Sequence, residues 1–144
     1  MKNDLSIQIA DWCRDKELLM QVRTQVFVKE QQVPIDLELD SEDAQCVHIK
    51  AETNFHKVIG TARLLNDQSI GRMCVLKNYR NQSIGSAMLL FMIDLAQQKE
   101  LTFVHLNAQL GAQEFYKKFG FKQDSEVFSE AGIDHIHMIR ALTL

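Results

Sequence analysis

Proline occurs once, tryptophan once and glycine six times in this chain, so no proline- or glycine-rich linker, repeat or low-complexity tract marks a second domain. Its three cysteines, Cys13, Cys46 and Cys74, are odd in number, widely scattered and without a C-x-x-C pair. That pattern excludes a disulfide framework and predicts reduced thiols in a cytoplasm. No apolar run approaches the length needed to span a bilayer, and the first residues carry no apolar signal region, so neither a membrane anchor nor export is expected. Basic residues are not in excess: the net charge is -3, which argues against a nucleic-acid surface and for small partners. What remains, 144 residues with 46% hydrophobic and 24% charged side chains, is an ordinary globular composition long enough for one domain over residues 1–144 with a real core.

Leu5 to Ala10 alternates with period two and predicts a strand, whereas Leu18, Leu19, Val22, Val26 and Phe27 recur at helical spacing and predict a helix from Asp15 to Gln31, closed by Pro34. The next segment carries Asp36, Glu38, Asp40, Glu42 and Asp43 and reads as a loop or broken helix. Strands are predicted over Cys46–Glu52, Val58–Leu65 and Ile70–Leu76, and their short polar connections imply antiparallel neighbours. Ile84, Ala87, Met88, Phe91 and Leu95 form an apolar stripe on a helix from Ile84 to Lys99. A strand (Thr102–Asn107), a short helix (Ala112–Phe119) and two strands (Phe121–Phe128, His135–Leu142) complete the order. The fold class is therefore α/β in the broad sense, a mixed α+β sheet that is mostly antiparallel with one parallel pair across the helix at Ile84.

The junction between the strand ending at Leu76 and that helix is the most informative segment. Arg80, Asn81, Gln82, Ser83, Ile84, Gly85 and Ser86 form a loop of small and amide residues leading into a helix N-terminus. The first N–H groups of a helix lack intrahelical partners and lie at the positive end of its dipole, which suits a pyrophosphate. Gly85 admits close backbone approach, and the Arg80 guanidinium matches phosphate oxygens in a fork.

This order of elements, with Arg80-Asn81-Gln82-Ser83-Ile84-Gly85 close to the pattern Q/R-x-x-G-x-G/A, resembles the GCN5-related N-acetyltransferases (GNAT). Two further segments carry the likeness. Gln109 to Phe121 is similar to N-x-x-A-x-x-x-Y-x-x-x-G-F, with Gln109 for Asn; Val22 to Pro34, followed by Glu38, Asp40, Asp43 and His48, resembles the ElaA-type subgroup. Ser83 stands where the pattern has its first Gly, so a positive φ there would carry about 1 kcal/mol of strain, with a hydroxyl left to donate to phosphate.

The resemblance implies an acyl-CoA N-acyltransferase fold, whose central twisted sheet splays at its parallel pair, and an enzyme that moves an acetyl group from acetyl-CoA to a primary amine of a small molecule or peptide. A homodimer is left open. It assigns Met73, Cys74 and Val75 to a bulge whose backbone meets the pantetheine and thioester, the loop from Arg80 to Ser86 and Gln109 to the cofactor, and Tyr116 to protonation of the departing thiolate. Ala112, Phe115, Tyr116 and Phe119 also make a plain core stripe, so a packing role for Tyr116 stays open. For the general base, Glu30, Glu38, Asp40 and His105 all stand as candidates, and the acidic segment reads either as the acceptor side or as solvated surface. His135 and His137 share a strand face without a third ligand at recognisable spacing, so core or substrate-pocket roles are preferred to a metal site. The competing reading is a non-catalytic acyl-CoA-binding or regulatory domain that kept the loop.

Overall fold

The computed structural model describes residues 5–143. Strand β1 (Leu5–Ala10) leads into α1 (Trp12–Arg23), whose N-cap Asp11 accepts from the backbone N–H of Cys13 and Arg14, while Asp15 accepts from the N–H of Asp11. Helical winding continues to Glu30 as the sequence predicts, but Thr24–Glu30 is a π-helix, closed by Gln31 N–H donating to the Val26 carbonyl. Wider turns of this kind push side chains out of helical register and recur at functional sites. The acidic segment forms a short helix α2 (Ile35–Glu38) and a 3-10 turn at Asp43–Gln45.

Strands β2 (Val47–Thr53), β3 (Val58–Leu64) and β4 (Ile70–Val75) join β1 in an antiparallel sheet of order β1-β2-β3-β4. Helix α3 (Ile84–Gln98), β5 (Phe103–Gln109) and α4 (Gln113–Lys118) follow. The single strand expected over Phe121–Phe128 is instead two, β6 (Lys122–Gln123) and β7 (Phe128–Glu130). Both pair with β8 (Ile133–Ala141), and between them Ser125 Oγ takes the bond from His137 N–H, so a side chain replaces the ladder and lets the strand break.

Every residue of β3 is buried, because α1 covers one face of the sheet and α3 the other. Ile84, Met88, Leu89, Met92, Ile93 and Ala96 of α3 pack on Ile49, Ala51 and Ile59, whereas Leu19, Val22 and Val26 pack on Val58 and Cys74. The predicted α3 stripe holds at Ile84 and Met88, while Ala87, Phe91 and Leu95 are only partly buried. Gly60 allows this approach, since a Cβ there would lie 2.9 Å from Met88 Sδ.

Strands β4 and β5 are parallel neighbours that touch only at their start. Ser69 and His105 form one parallel bridge, supported by Gln68 Nε2 donating to the Phe103 carbonyl at 2.7 Å. No ladder joins Ile70–Val75 to Phe103–Gln109 beyond it, so the sheet opens into a V, as the cofactor reading required. No helix among the described residues is long and apolar enough to cross a membrane.

Six charged side chains lock α1, α2, β3 and β4 together. Arg23, 1% exposed, donates to Asp43 at 2.8 Å and to Glu38 at 2.9 Å; Arg63 donates to Asp43 at 2.7 Å and to Asp40 at 2.7 and 2.9 Å. Arg72 donates to the Glu38 carbonyl and to Asp40, with Nε 2.7 Å from the Glu38 carboxylate. Within the acidic segment Glu38 and Asp43 are therefore buried and paired and Asp40 is paired, while Asp36 and Glu42 stay exposed as the solvated-surface reading expected. Hydrogen bonds from Arg63 hold the Asp40 carboxyl at about 2, below its usual 3.8.

Removing one partner of a buried pair strands the other, so Arg23→Ala should lose about 3–5 kcal/mol in urea denaturation, while Arg14→Ala, whose side chain is exposed and whose partner Asp15 keeps Lys50, should change little. Because the folded Asp40 carboxyl lies below its unfolded value, its contribution is complete above 3.8 and disappears as pH falls through about 2. Acid titration of wild type against Asp40→Asn should show that difference.

Candidate active site

The V-shaped opening is shaped first by β4. Thr61 pairs with Cys74 and Arg63 with Gly71, so two steps along β3 face three along β4, and the extra residue falls at Arg72–Met73. Arg72 takes φ +51, a left-handed conformation that its anchored guanidinium holds in place. This corrects the expected position: the bulge starts one residue earlier than Met73–Val75, and Cys74 and Val75 are back in register with Thr61 and Gly60. Only Met73 of the three lies on the bulge itself, although all three line an edge that β5 leaves unpaired. The Cys74 thiol points away, into the α1 core with Leu19 and Val22, and burial pushes it up to about 12.

After a 3-10 turn at Lys77–Tyr79, the loop winds through Asn81 at φ +62 and Ser83 at φ +64 before α3 starts. Ser83 does occupy the left-handed region, and its hydroxyl does not cap the helix. The first bond into the helix is from Ala87 N–H to the Ser83 carbonyl, so the N–H groups of Ile84, Gly85 and Ser86 precede it and face the loop mouth. A Cβ on Gly85 would meet only the Phe115 ring, at an ordinary 3.8 Å, so the fold itself does not need glycine there. Asn81, Gln82 and Ser83 are exposed.

Arg80 does not extend a free fork. Its NH1 and NH2 donate to Glu30 at 2.6 and 2.7 Å, and Nε donates to the Val75 carbonyl at 2.9 Å. The loop therefore offers a phosphate its backbone, while the Arg80 side chain ties the π-helix to the end of β4. The same hydrogen bonds hold the Glu30 carboxyl below its usual range.

From the opposite wall α4 reaches across: the Tyr116 hydroxyl lies 3.9 Å from Met73 Sδ, and burial pushes the phenol up to about 12. Phe115 and Phe121 pack around the ring. At the top of the V the Gln109 amide donates to Gln31 at 2.8 Å, so Gln109 is paired with the end of the π-helix.

The four carboxylate and histidine candidates for a base are all engaged. Glu30 meets Arg80, Glu38 meets Arg23 and Arg72, Asp40 meets Arg63 and Arg72, and His105 sits at the closed end against the Asp67 carbonyl and His137. His137 also meets Asp124, whereas His135 turns to the Ile133 carbonyl, so the two histidines of β8 do not converge. The structure thus brings Met73, Tyr116 and the loop to one cleft. Phe115, already read in the α4 stripe, packs beside the Tyr116 ring, whereas no sequence spacing singled out Gln31 at the π-helix end or Arg72 at the β4 bulge.

Comparison with known proteins bears on this geometry. A family model described as an acetyltransferase (GNAT) domain matches residues 10–142. The uncharacterized N-acetyltransferase YjcF of Bacillus subtilis is 36% identical over 123 residues, covering 83% of this chain and 87% of its own. The crystal structure of Escherichia coli ElaA superposes with a TM-score of 0.84 at 29% identity, covering 94% of this chain and 99% of that one. An acyl-CoA N-acyltransferase structure from Pseudomonas aeruginosa gives 0.84 at 30% identity, covering 96% and 99%.

A thiol with so high a proton affinity is a poor nucleophile, so iodoacetamide should label the exposed Cys13 in the native protein and spare Cys74 until urea is added. Peptide mapping of the alkylated protein reads this directly.

Proposed function

The chain belongs to the acetyltransferase (GNAT) family, and from that premise we propose that its acyl donor is acetyl-CoA and its acceptor a primary amine of a small molecule or a peptide. One observation carries the donor side: β4 and β5 part above Ser69 and His105, beside three uncapped N–H groups at the start of α3. A pantetheine arm fits the opening as an extra strand would, and the pyrophosphate suits the loop from Arg80 to Ser86. The unbonded thiols Cys13, Cys46 and Cys74 suit a reducing cytoplasm.

In this reading the unpaired edge of β4 at Met73–Val75 orients the thioester, Gln109 borders the pantetheine, and Tyr116 supplies the proton for the thiolate. Burial keeps the phenol protonated at neutral pH. It also raises the proton affinity of a thiolate released into the same cleft, which narrows the gap the proton must cross. Among the described residues the hydroxyl has only a weak thioether partner, so its orientation toward Met73 is available to the leaving sulfur. A panel of polyamines, amino sugars, amino acids and peptides, followed through release of free CoA, tests the acceptor class.

Two variants separate donor binding from chemistry. Gly85→Val should raise the acetyl-CoA Kd by about 10-fold or more in calorimetry while leaving Tm nearly unchanged, since the added methyls crowd the phosphate and not the core. Tyr116→Phe should keep acetyl-CoA affinity and Tm but lower kcat by about 100-fold, roughly 3 kcal/mol of transition-state stabilisation. Wild-type turnover in the Phe variant, with chemistry rate-limiting, would return Tyr116 to a packing role.

A further inference from the structure

We propose that Glu130 and His135 form the subsite for the acceptor's ammonium group, with His135 Nε2 as the atom that takes its proton. The inference rests on the acetyl-transfer reading and extends it to the acceptor side, where every earlier candidate base is engaged by an arginine or lies at the closed end of the V.

Position comes first. Ser69 and His105 mark the closed end, so Met73 and Gln109, each four residues further on, stand at similar height, about 13 Å above it at the rise of a strand. Gln109 pairs directly with His135, one strand spacing of about 5 Å away. Directly opposed residues share a sheet face. The Gln109 side chain reaches Gln31 of the π-helix end, while Val104, Leu106 and Ala108 of the alternate face lie in the core with α3. His135 therefore stands level with Met73, on the face away from the helix that carries the phosphate loop.

Its chemistry is set by its partners. The ring is 6% exposed and stacked at 21° on Phe128, and Nδ1 lies 2.7 Å from the Ile133 carbonyl. A carbonyl oxygen only accepts, so Nδ1 carries the hydrogen and, in the neutral ring, Nε2 carries the lone pair. That lone pair faces Glu130 Oε2 at 3.7 Å, too far for a hydrogen bond, and Glu130 is oriented by Asn107 Nδ2 donating to its other oxygen at 3.2 Å. Two acceptors thus face one another with no hydrogen between them. A primary ammonium donates to both at once.

The step balances as follows. The bound ammonium passes one proton to His135 Nε2 and becomes a neutral amine, whose lone pair bonds to the acetyl carbonyl carbon. The carbon–sulfur pair leaves with sulfur, which takes the Tyr116 proton, and the nitrogen's second proton restores the phenol as the amide forms. Net products are the amide, free CoA thiol and one proton on His135.

Phenethylamine, whose ring can lie against Phe128, is the acceptor probe. Glu130→Gln should raise its KM by about 10-fold with kcat within about 2-fold, and His135→Gln should lower kcat by about 30-fold or more with acetyl-CoA Kd and Tm unchanged. Added imidazole should restore about 5-fold or more of the rate lost in His135→Ala, which a purely structural defect would not allow. Both variants keeping wild-type kinetic constants, with Tm lowered, would reduce the pair to a structural contact and overturn the proposal while leaving acetyl transfer intact. A second arm needs no turnover: in nitrogen-15 NMR of the histidine rings, His135 should show the Nδ1–H form, and Nε2 should respond to phenethylammonium but not to its trimethylated analogue. A ring protonated on both nitrogens without amine, or no response, overturns the subsite. Failure of wild type to bind acetyl-CoA in calorimetry would instead count against the donor reading.

Discussion

Three arginines set against three carboxylates are the constraint on which the rest of this structure depends. Arg23 ends the regular part of α1, Arg63 sits on the fully buried β3, and Arg72 occupies the β4 bulge; Glu38, Asp40 and Asp43 arrive from the segment after the π-helix. Arg23, Arg63, Glu38 and Asp43 are stripped of water while Asp40 and Arg72 stay partly solvated, and the buried charges are stable only because each is shared by at least one bidentate or bridging contact. Its net charge is zero, which is what burial requires. Imperfections remain: Glu38 Oε1 and Arg63 Nε lack hydrogen-bond partners, a cost that an apolar core would avoid. The gain is geometric, since no apolar packing would hold Arg72 at φ +51 and keep the bulge where the unpaired edge of β4 begins.

Element order was legible because each element announces itself locally. Period-two and helical spacings marked β1, α1, the three middle strands and α3, and the helix between Ile70 and Asn107 implied a parallel pair. Failures fell where a side chain from elsewhere replaces a backbone partner. Phe121–Phe128 reads as one strand, but Ser125 Oγ takes the His137 N–H and splits it. Likewise Thr24–Glu30 reads as plain helix, and no residue in it announces the wider turn.

The turn into α3 was legible for the same local reason. It is a run of consecutive residues, so Asn81 to Ser86 shows its small and amide character in sequence, and the left-handed Ser83 is a direct consequence of where the loop turns. Side-chain partners were not legible. Arg80 reads as a phosphate ligand, yet Glu30, fifty residues earlier, holds its fork, and Gln109 is held by Gln31. An acidic run reads as exposed charge unless one knows that arginines from α1, β3 and β4 converge on it. Arg63 and Arg72 lie on strands whose other residues are largely apolar, and such placement is itself a sign of internal pairing.

The proposed donor and acceptor sides differ in how they would be encoded. Recognition of a pyrophosphate needs backbone, which one loop can present; recognition of an ammonium needs acceptor atoms converging from several strands, which only register can align. His135 stands beside Gln109 because β8 runs antiparallel to β5, and Glu130 joins them because β7 folds back on β8. A one-residue slip of β8 would turn His135 into the core and bring Ile136 to the cleft face. With the proposed subsite, acceptor choice would be a property of strand register at the C-terminal half-sheet, and substitutions on β7 and β8 would change it while the loop before α3 stays as it is.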